Sequence, residues 1–257
     1  QFVGIGMSIA SPVDPNSGTL YRPPNLPGWD GFSPKLYIEE KFGLDVVIAN
    51  DASLGALGEY TYGMGRGYRN LIFLTLSTGV GGGVIVNGEL MLGSHGFAAE
   101  MGHMVIDREG PSCGCGGSGC LETFVSGTAI ASEATKLVAG GGHSMLSDIV
   151  NGELAHITAE MVMSAAVAGD NLSSRVLHNF SENLALGLAN ITHIFDPEII
   201  IIGGGVSASA DLYISAVKHS MNVRLMEHVK EKPNIAISTL GDSVSLLGAS
   251  SLAFANL

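Results

Sequence analysis

Short apolar runs of strand length alternate with longer amphipathic stretches along the chain. Residues 2–9 (FVGIGMSI), 45–49 (DVVIA), 70–76 (NLIFLTL), 83–86 (GVIV) and 198–203 (EIIIIG) are rich in β-branched side chains and predict strands. Apolar positions recur at helical spacing over residues 34–42, 52–62, 158–168, 172–193, 209–226 and 245–255. Asn87-Gly88, set between two apolar runs, is a hairpin signal. Strands interleaved with helices in this way predict an α/β protein. Neither a low-complexity tail nor a tandem repeat of solenoid length interrupts the pattern.

Composition narrows the class. The 257 residues carry 24 Asp and Glu against 12 Lys and Arg, a formal net charge of −12. That balance argues against a nucleic-acid or anionic-membrane surface, which needs a basic face. Charged residues are only 14% of the chain and hydrophobic ones 46%, which excludes a disordered polymer. No apolar run reaches the roughly 18 residues that span a bilayer. Residues 1–14 lack a basic flank and a small-residue cleavage site, so no signal peptide is expected. A cytoplasmic globular protein is the resulting expectation.

All three cysteines fall within eight residues, as Cys113, Cys115 and Cys120. An odd, tightly clustered set is a poor disulfide framework for a chain of this size. Two thiolates one residue apart can grip one face of a zinc ion, the Gly-Gly-Ser-Gly turn returns the chain to deliver Cys120, and His103 can supply the fourth ligand. Three Cys and one His leave no open position, which predicts a structural site. The competing reading is three buried free thiols beside an unrelated histidine. Glu100 and Glu122 bracket this loop. Held there, two carboxylates and an imidazole suit a polyhydroxylated ligand, whose hydroxyls donate and accept in pairs. Alone, the two glutamates would read as solvated surface groups.

Asn50-Asp51 stands where an apolar strand gives way to a helix, the place where open α/β sheets bind ligands. Asp51 reads equally as a helix N-cap and as a general base for a hydroxyl attacking phosphorus. Two glycine-rich segments lie further along the chain. Residues 76–83 (LSTGVGGG) lie between predicted strands and read either as an anion cradle or as a tight hairpin; no Lys comes after the glycines, so this is not a Walker loop. Gly203-Gly204-Gly205 stands between a strand and a helix, and with Ala208 it fits G-x-G-x-x-A. A dinucleotide site would need an acid at the end of the next strand, where Thr239 stands instead. The triplet Gly140, Gly141, Gly142 reads as a flexible surface connection.

These segments, in this order, resemble the ROK family of sugar kinases and sugar-responsive repressors. The likeness rests on Pro24-Asn25-Leu26-Pro27-Gly28-Trp29, Asn50-Asp51-Ala52 through Gly58-Glu59, residues 76–83, Glu100-Met101-Gly102-His103, Cys113-x-Cys115-Gly-x-x-Gly-Cys120-Leu121-Glu122 and Gly203-Gly204-Gly205-Val206-Ser207. The resemblance implies an actin-like (ribonuclease H-like) two-lobed ATPase fold. Residues 1–51 would be the remnant of the small lobe, 52–244 the large lobe with zinc loop and sugar wall, and 245–257 a C-terminal helix packing back. It further implies Asp51 as catalytic base, with Asn25, Asn50, Glu100, His103 and Glu122 on the sugar. Thr78 and Gly79 would face the ATP phosphates, and Gly203, Gly204 and Gly205 the nucleoside. Zinc would sit on His103, Cys113, Cys115 and Cys120.

The implied reaction is phosphoryl transfer from Mg²⁺-ATP to a hexose, with glucose as first choice, in a cytoplasmic homodimer. The family's kinases also carry an Asp-x-Gly-Gly-Thr strand upstream of the GIG strand. This sequence begins at the GIG strand, so the small lobe is expected to be incomplete. The alternative is the sugar-sensing portion of a repressor. A zinc- and NAD-dependent dehydrogenase is disfavoured by the closed ligand set and the missing acid.

Overall fold

The computed structural model describes residues 2–23, 26–229 and 233–256. Asn25 therefore lies outside the described residues. Seven strands and nine α-helices are formed among those described. The first sheet pairs β1 (Ile5–Ile9) with β2 (Val46–Asn50) in parallel, the helix α1 (Pro34–Phe42) lying between them in sequence. From Asn50 the chain passes directly into α2 (Asp51–Tyr62).

The second sheet is built on β3 (Leu71–Leu76). β4 (Val80–Val86) pairs antiparallel with it, and β5 (Glu89–Leu90) completes that edge across the Asn87-Gly88 turn. Four helices then intervene: α3 (Glu122–Val125), α4 (Gly127–Ala139), α5 (Met145–Ile149) and α6 (Ala159–Val167), and after them the long α7 (Asn171–Phe195). β6 (Ile199–Gly203) returns parallel to β3. After α8 (Ile214–Arg224), β7 (Asn234–Ile237) adds in parallel, giving the order β5-β4-β3-β6-β7. The chain closes with α9 (Val244–Asn256).

The period-2 geometry of a strand explains why β3 and β6 read as unbroken apolar runs. Ile72, Leu74, Ile200 and Ile202 face one core with Leu184, Leu188 and Phe180 of α7. Leu71, Phe73, Ile199 and Ile201 face the other, against Ala56 of α2. Both faces of the sheet are therefore covered.

Three sequence expectations change. Gly81 and Gly82 are not loop residues; with Gly83, already read as a strand residue, they form the first half of β4. A Cβ at Gly83 would lie 2.5 Å from the Ala52 carbonyl and 2.7 Å from the Ala56 Cβ, and one at Gly81 would lie 2.8 Å from the Ala52 Cβ. These positions lack side chains so that α2 can lie on the strand. The stretch at 209–226 is not one helix: a 3₁₀ segment (Gly205–Leu212) leaves helical angles at Ser209 before α8 begins. Nor is the triplet at 140–142 a bare connection. Gly140 caps α4, and a Cβ on Gly142 would press on Leu137 and Leu172.

α9 packs against both β1 and α2. Gly58 and Gly248 let the two helices touch backbone to backbone, at the Val244 and Leu54 carbonyls. The helix that begins at Asp51 is thus wedged between β4 and α9. No helix among the described residues is long and apolar enough to cross a membrane.

Candidate active site and metal centre

The cysteine loop is a folded knuckle. The Cys113 N–H donates to the Gly117 carbonyl at 2.8 Å, and the Gly116 N–H donates to the Cys113 carbonyl at 3.0 Å. Val105 bridges to Cys120, and Ser112 to Ser118. Gly116 and Gly119 supply the left-handed backbone these turns need. Four donor atoms converge, one each from His103, Cys113, Cys115 and Cys120, all within 4.8 Å of one another. His103 Nδ1 lies 3.6 Å from Cys113 Sγ, and Cys115 Sγ lies 3.7 Å from Cys120 Sγ. Donors sharing a tetrahedral zinc at ordinary bond lengths lie about 3.5–3.8 Å apart. Burial, reinforced by the other two thiols, pushes the Cys120 thiol up to about 12. A cation is what would let three neighbouring thiols ionise together. The donor set and its spacing fit zinc.

The imidazole faces two ways. Its Nδ1 points at the thiols, while Nε2 lies 3.9 Å from Glu100 Oε2. Glu100 and His103 line a 530 Å³ cavity with Tyr21, Arg22, Asp30 and Phe97. Burial raises the pKa of Glu100, and the neighbouring charges of Asp51 and Glu122 raise it further against the opposing pull of His103. Glu100 thus lies close to both Asp51 and Glu122. Glu122 opens α3, where its Oε2 accepts the Val80 N–H at 2.8 Å and its Oε1 lies 3.9 Å from Cys113 Sγ. It ties the metal loop to the start of β4. Glu122 lines a different, 600 Å³ cavity with Thr78 and Cys113.

Asn50, not Asp51, is the N-cap of α2: its Oδ1 accepts the N–H groups of Ala52 at 2.9 Å and Ser53 at 3.4 Å. Asp51 is the first helical residue, and its Oδ1 accepts the adjacent Ala52 N–H at 2.8 Å. Burial raises its pKa, outweighing the backbone N–H groups that lower it. Asp51 shares a 480 Å³ cleft with Gly203, Gly204 and Gly205. Next to it a 770 Å³ cavity is lined by Thr78, Thr128 and Gly205.

The turn at residues 77–79 is closed by the Ser77 N–H donating to the Gly79 carbonyl at 2.9 Å. A Cβ on Gly79 would lie 2.5 Å from Glu122 Oε2, so this glycine admits the carboxylate. Gly203 ends β6, and Gly204 takes φ 84° against the Leu76 carbonyl. The chain then enters the 3₁₀ segment rather than the α-helix of a dinucleotide fold. Sequence reasoning gave no chemistry to Tyr21 and Phe97, whose rings meet edge to face at 5.7 Å beside Glu100, nor to Ser238 and Asp242 in the Asp51 cleft. No local motif marks them, because each reaches its cavity only through tertiary folding.

Two sheets, helices on both faces of the larger one, and an acid opening a helix beside a glycine turn define an actin-like α/β protein. The chain belongs to the ROK family, whose profile matches residues 1–256. It is 36% identical over 249 residues to a glucokinase of Halalkalibacterium halodurans, covering 96% of this chain and 75% of that protein. It is 32% identical over 255 residues to a xylose repressor of Caldicellulosiruptor bescii, covering 99% of this chain and 63% of the repressor. Its fold superposes on a ROK family glucokinase of Streptomyces griseus, solved with glucose and AMPPNP, at a TM-score of 0.85 and 32% identity, over 97% of this chain and 80% of that one.

Proposed function

We propose that the chain is the catalytic part of an ATP-dependent hexose kinase that converts glucose to glucose 6-phosphate. The observation that carries this reading is how the acids meet around the start of β4: Glu122 accepts the Val80 N–H, and Ala52, next to Asp51, lies against Gly81. Glu100 feels the charges of both Asp51 and Glu122 and lines the His103 cavity, while Asp51 lines the glycine cleft. Asn50, Glu100, His103 and Glu122, with Asn25, hold the sugar hydroxyls. Asp51 takes the proton of the attacking hydroxyl, and its partly desolvated carboxylate is a stronger base for it. Thr78, Gly79 and the turn at 203–205 hold the nucleotide. Mg²⁺, when bound with ATP, neutralises charge on the transferring phosphoryl group, so positioning and electrostatics supply most of the rate. Zinc stays structural and fixes the His103 ring.

In this reading residues 1–51 belong to a small lobe, 52–244 to a large one, and 245–257 pack back on the first. The enzyme works as a homodimer in the cytoplasm. The likeness to a xylose repressor supports a second reading, a sugar sensor without turnover. A coupled assay with ATP and a panel of hexoses tests the first. Turnover fastest with glucose supports it; glucose binding by calorimetry with no turnover favours the sensor.

A further inference from the structure

Glu59 is fully buried (0% exposed), and the chemistry above gives it no task. Burying a carboxylate costs free energy that an apolar side chain would not, unless hydrogen bonds compensate it. It lies about two turns beyond Asp51 on the same helix. Its Oε2 accepts the Met64 N–H at 2.8 Å, in space that Gly63 leaves free. Its Oε1 accepts the hydroxyl of Ser238.

Ser238 stands where β7 ends. Its N–H donates to the Ile202 carbonyl at 2.8 Å, one residue before Gly203, and its Oγ accepts the Leu240 N–H at 3.3 Å. From there residues 238–245 run along the Asp51 cleft, contributing Ser238, Gly241, Asp242 and Ser245 to its lining. One carboxylate thus joins the Asp51 helix, the end of β7 and the wall facing the glycine turn.

We infer that Glu59 is a positioning residue for the nucleotide: through Ser238 it fixes the 238–245 wall relative to the turn at 203–205 and the helix that carries Asp51. The inference rests on the kinase reading. A gap held by buried hydrogen bonds changes less under load than one held by an exposed loop, and nucleotide affinity depends on that gap.

Calorimetry of this chain with a non-hydrolysable ATP analogue and, separately, with glucose tests it, alongside melting temperatures. Ser238→Ala and Glu59→Ala are expected to bind the analogue about tenfold more weakly, with glucose affinity changed less than about twofold. Glu59→Gln keeps near-parent affinity, because its amide can accept from Met64 and donate to Ser238. Should Glu59→Ala fail to fold, Ser238→Ala carries the test, since it leaves the carboxylate its Met64 partner. Parent-like analogue binding by Ser238→Ala overturns the inference. Equal losses of both ligands, or a Glu59→Gln variant that has lost the analogue, overturn it too. If the parent chain itself binds no analogue, the kinase reading falls and this inference with it; parent binding beside an insensitive Ser238→Ala removes the inference alone.

Discussion

Gly83→Ala and Gly205→Ala should fail in opposite ways, although each glycine belongs to a triplet that resembles a phosphate loop. Gly83 pairs with Phe73 inside the sheet, and an added Cβ would lie 2.5 Å from the Ala52 carbonyl, 2.7 Å from the Ala56 Cβ and 3.0 Å from the Ser53 Cα. Ordinary contacts begin near 3.4 Å, so α2 must retreat by about 1 Å, an overpacking that costs about 1–3 kcal/mol. For a chain of this size that lowers the melting temperature by about 2–12 °C. The same retreat moves Asp51, and a misplacement of about 1 Å can cost about 100-fold in turnover. At Gly205 no heavy atom lies within 4 Å of the added methyl, and the backbone is not left-handed. Alanine there leaves stability unchanged but projects into the space shared by the 480 and 770 Å³ cavities. Melting curves and nucleotide calorimetry on both variants check the pair. A Gly83→Ala protein that melts like its parent yet loses nucleotide would refute the packing account and restore the anion-cradle one.

Asp51→Asn should lower turnover by about 100-fold or more while glucose affinity is retained; near-normal turnover would remove Asp51 as the base. Because burial raises the Asp51 pKa, the folded state holds this proton more tightly than the unfolded one, and the group's contribution to stability falls as pH rises from the unfolded to the folded value. The Asn variant should therefore melt higher than its parent at neutral pH, with the gap closing in acid. Parent turnover should rise with pH through a titration above the ordinary aspartate value, seen in a kcat/KM profile. Asp170 caps α7 and accepts from Ser173 N at 2.7 Å, Met145 N at 2.8 Å and Ser144 Oγ at 3.1 Å, so Asp170→Ala should cost about 1–2 kcal/mol by urea denaturation. Burial raises its pKa but those bonds lower it more, so the stability it contributes is present above the unfolded value and is lost as pH falls through the folded one.

Where local pattern and tertiary fold agreed, the sequence was sufficient. The apolar runs of β3 and β6 and the spacing of the four metal donors are local features, and they survive folding. The Asn-Gly hairpin does likewise. Glycine was the ambiguous letter, because the same residue serves a turn, a left-handed backbone or a close helix contact. Only the neighbours decide, and for Gly83 and Gly248 those neighbours are Ala52 and Leu54 on α2. The cap of α2 was ambiguous for a related reason: Asn50 and Asp51 are both good caps, and one residue of register makes Asn50 the cap and Asp51 the first helical residue. Glu59 and Ser238 are 179 positions apart in the chain, so no window of sequence pairs them.

The two-faced imidazole makes metal removal a selective perturbation. His103 turns Nδ1 toward Cys113 and Nε2 toward Glu100, so a zinc on the thiols would fix the ring that the kinase reading sets against the sugar. Glu122 likewise reaches from Cys113 to the Val80 N–H. The glycine turn at 203–205 and Ser238 stand instead on the β6–β7 pair. Stripping the metal under reducing conditions should thus release His103 and loosen Glu122. Losing one or two sugar hydrogen bonds of about 1–1.5 kcal/mol each weakens glucose about 5–150-fold, while the nucleotide analogue keeps its affinity. Calorimetry on the stripped protein, with zinc content checked by metal analysis and then restored, reads both ligands. Glucose bound as tightly without metal as with it would detach the cysteine knuckle from the sugar wall. Parallel loss of both ligands would make the knuckle a prop for the whole fold rather than for His103.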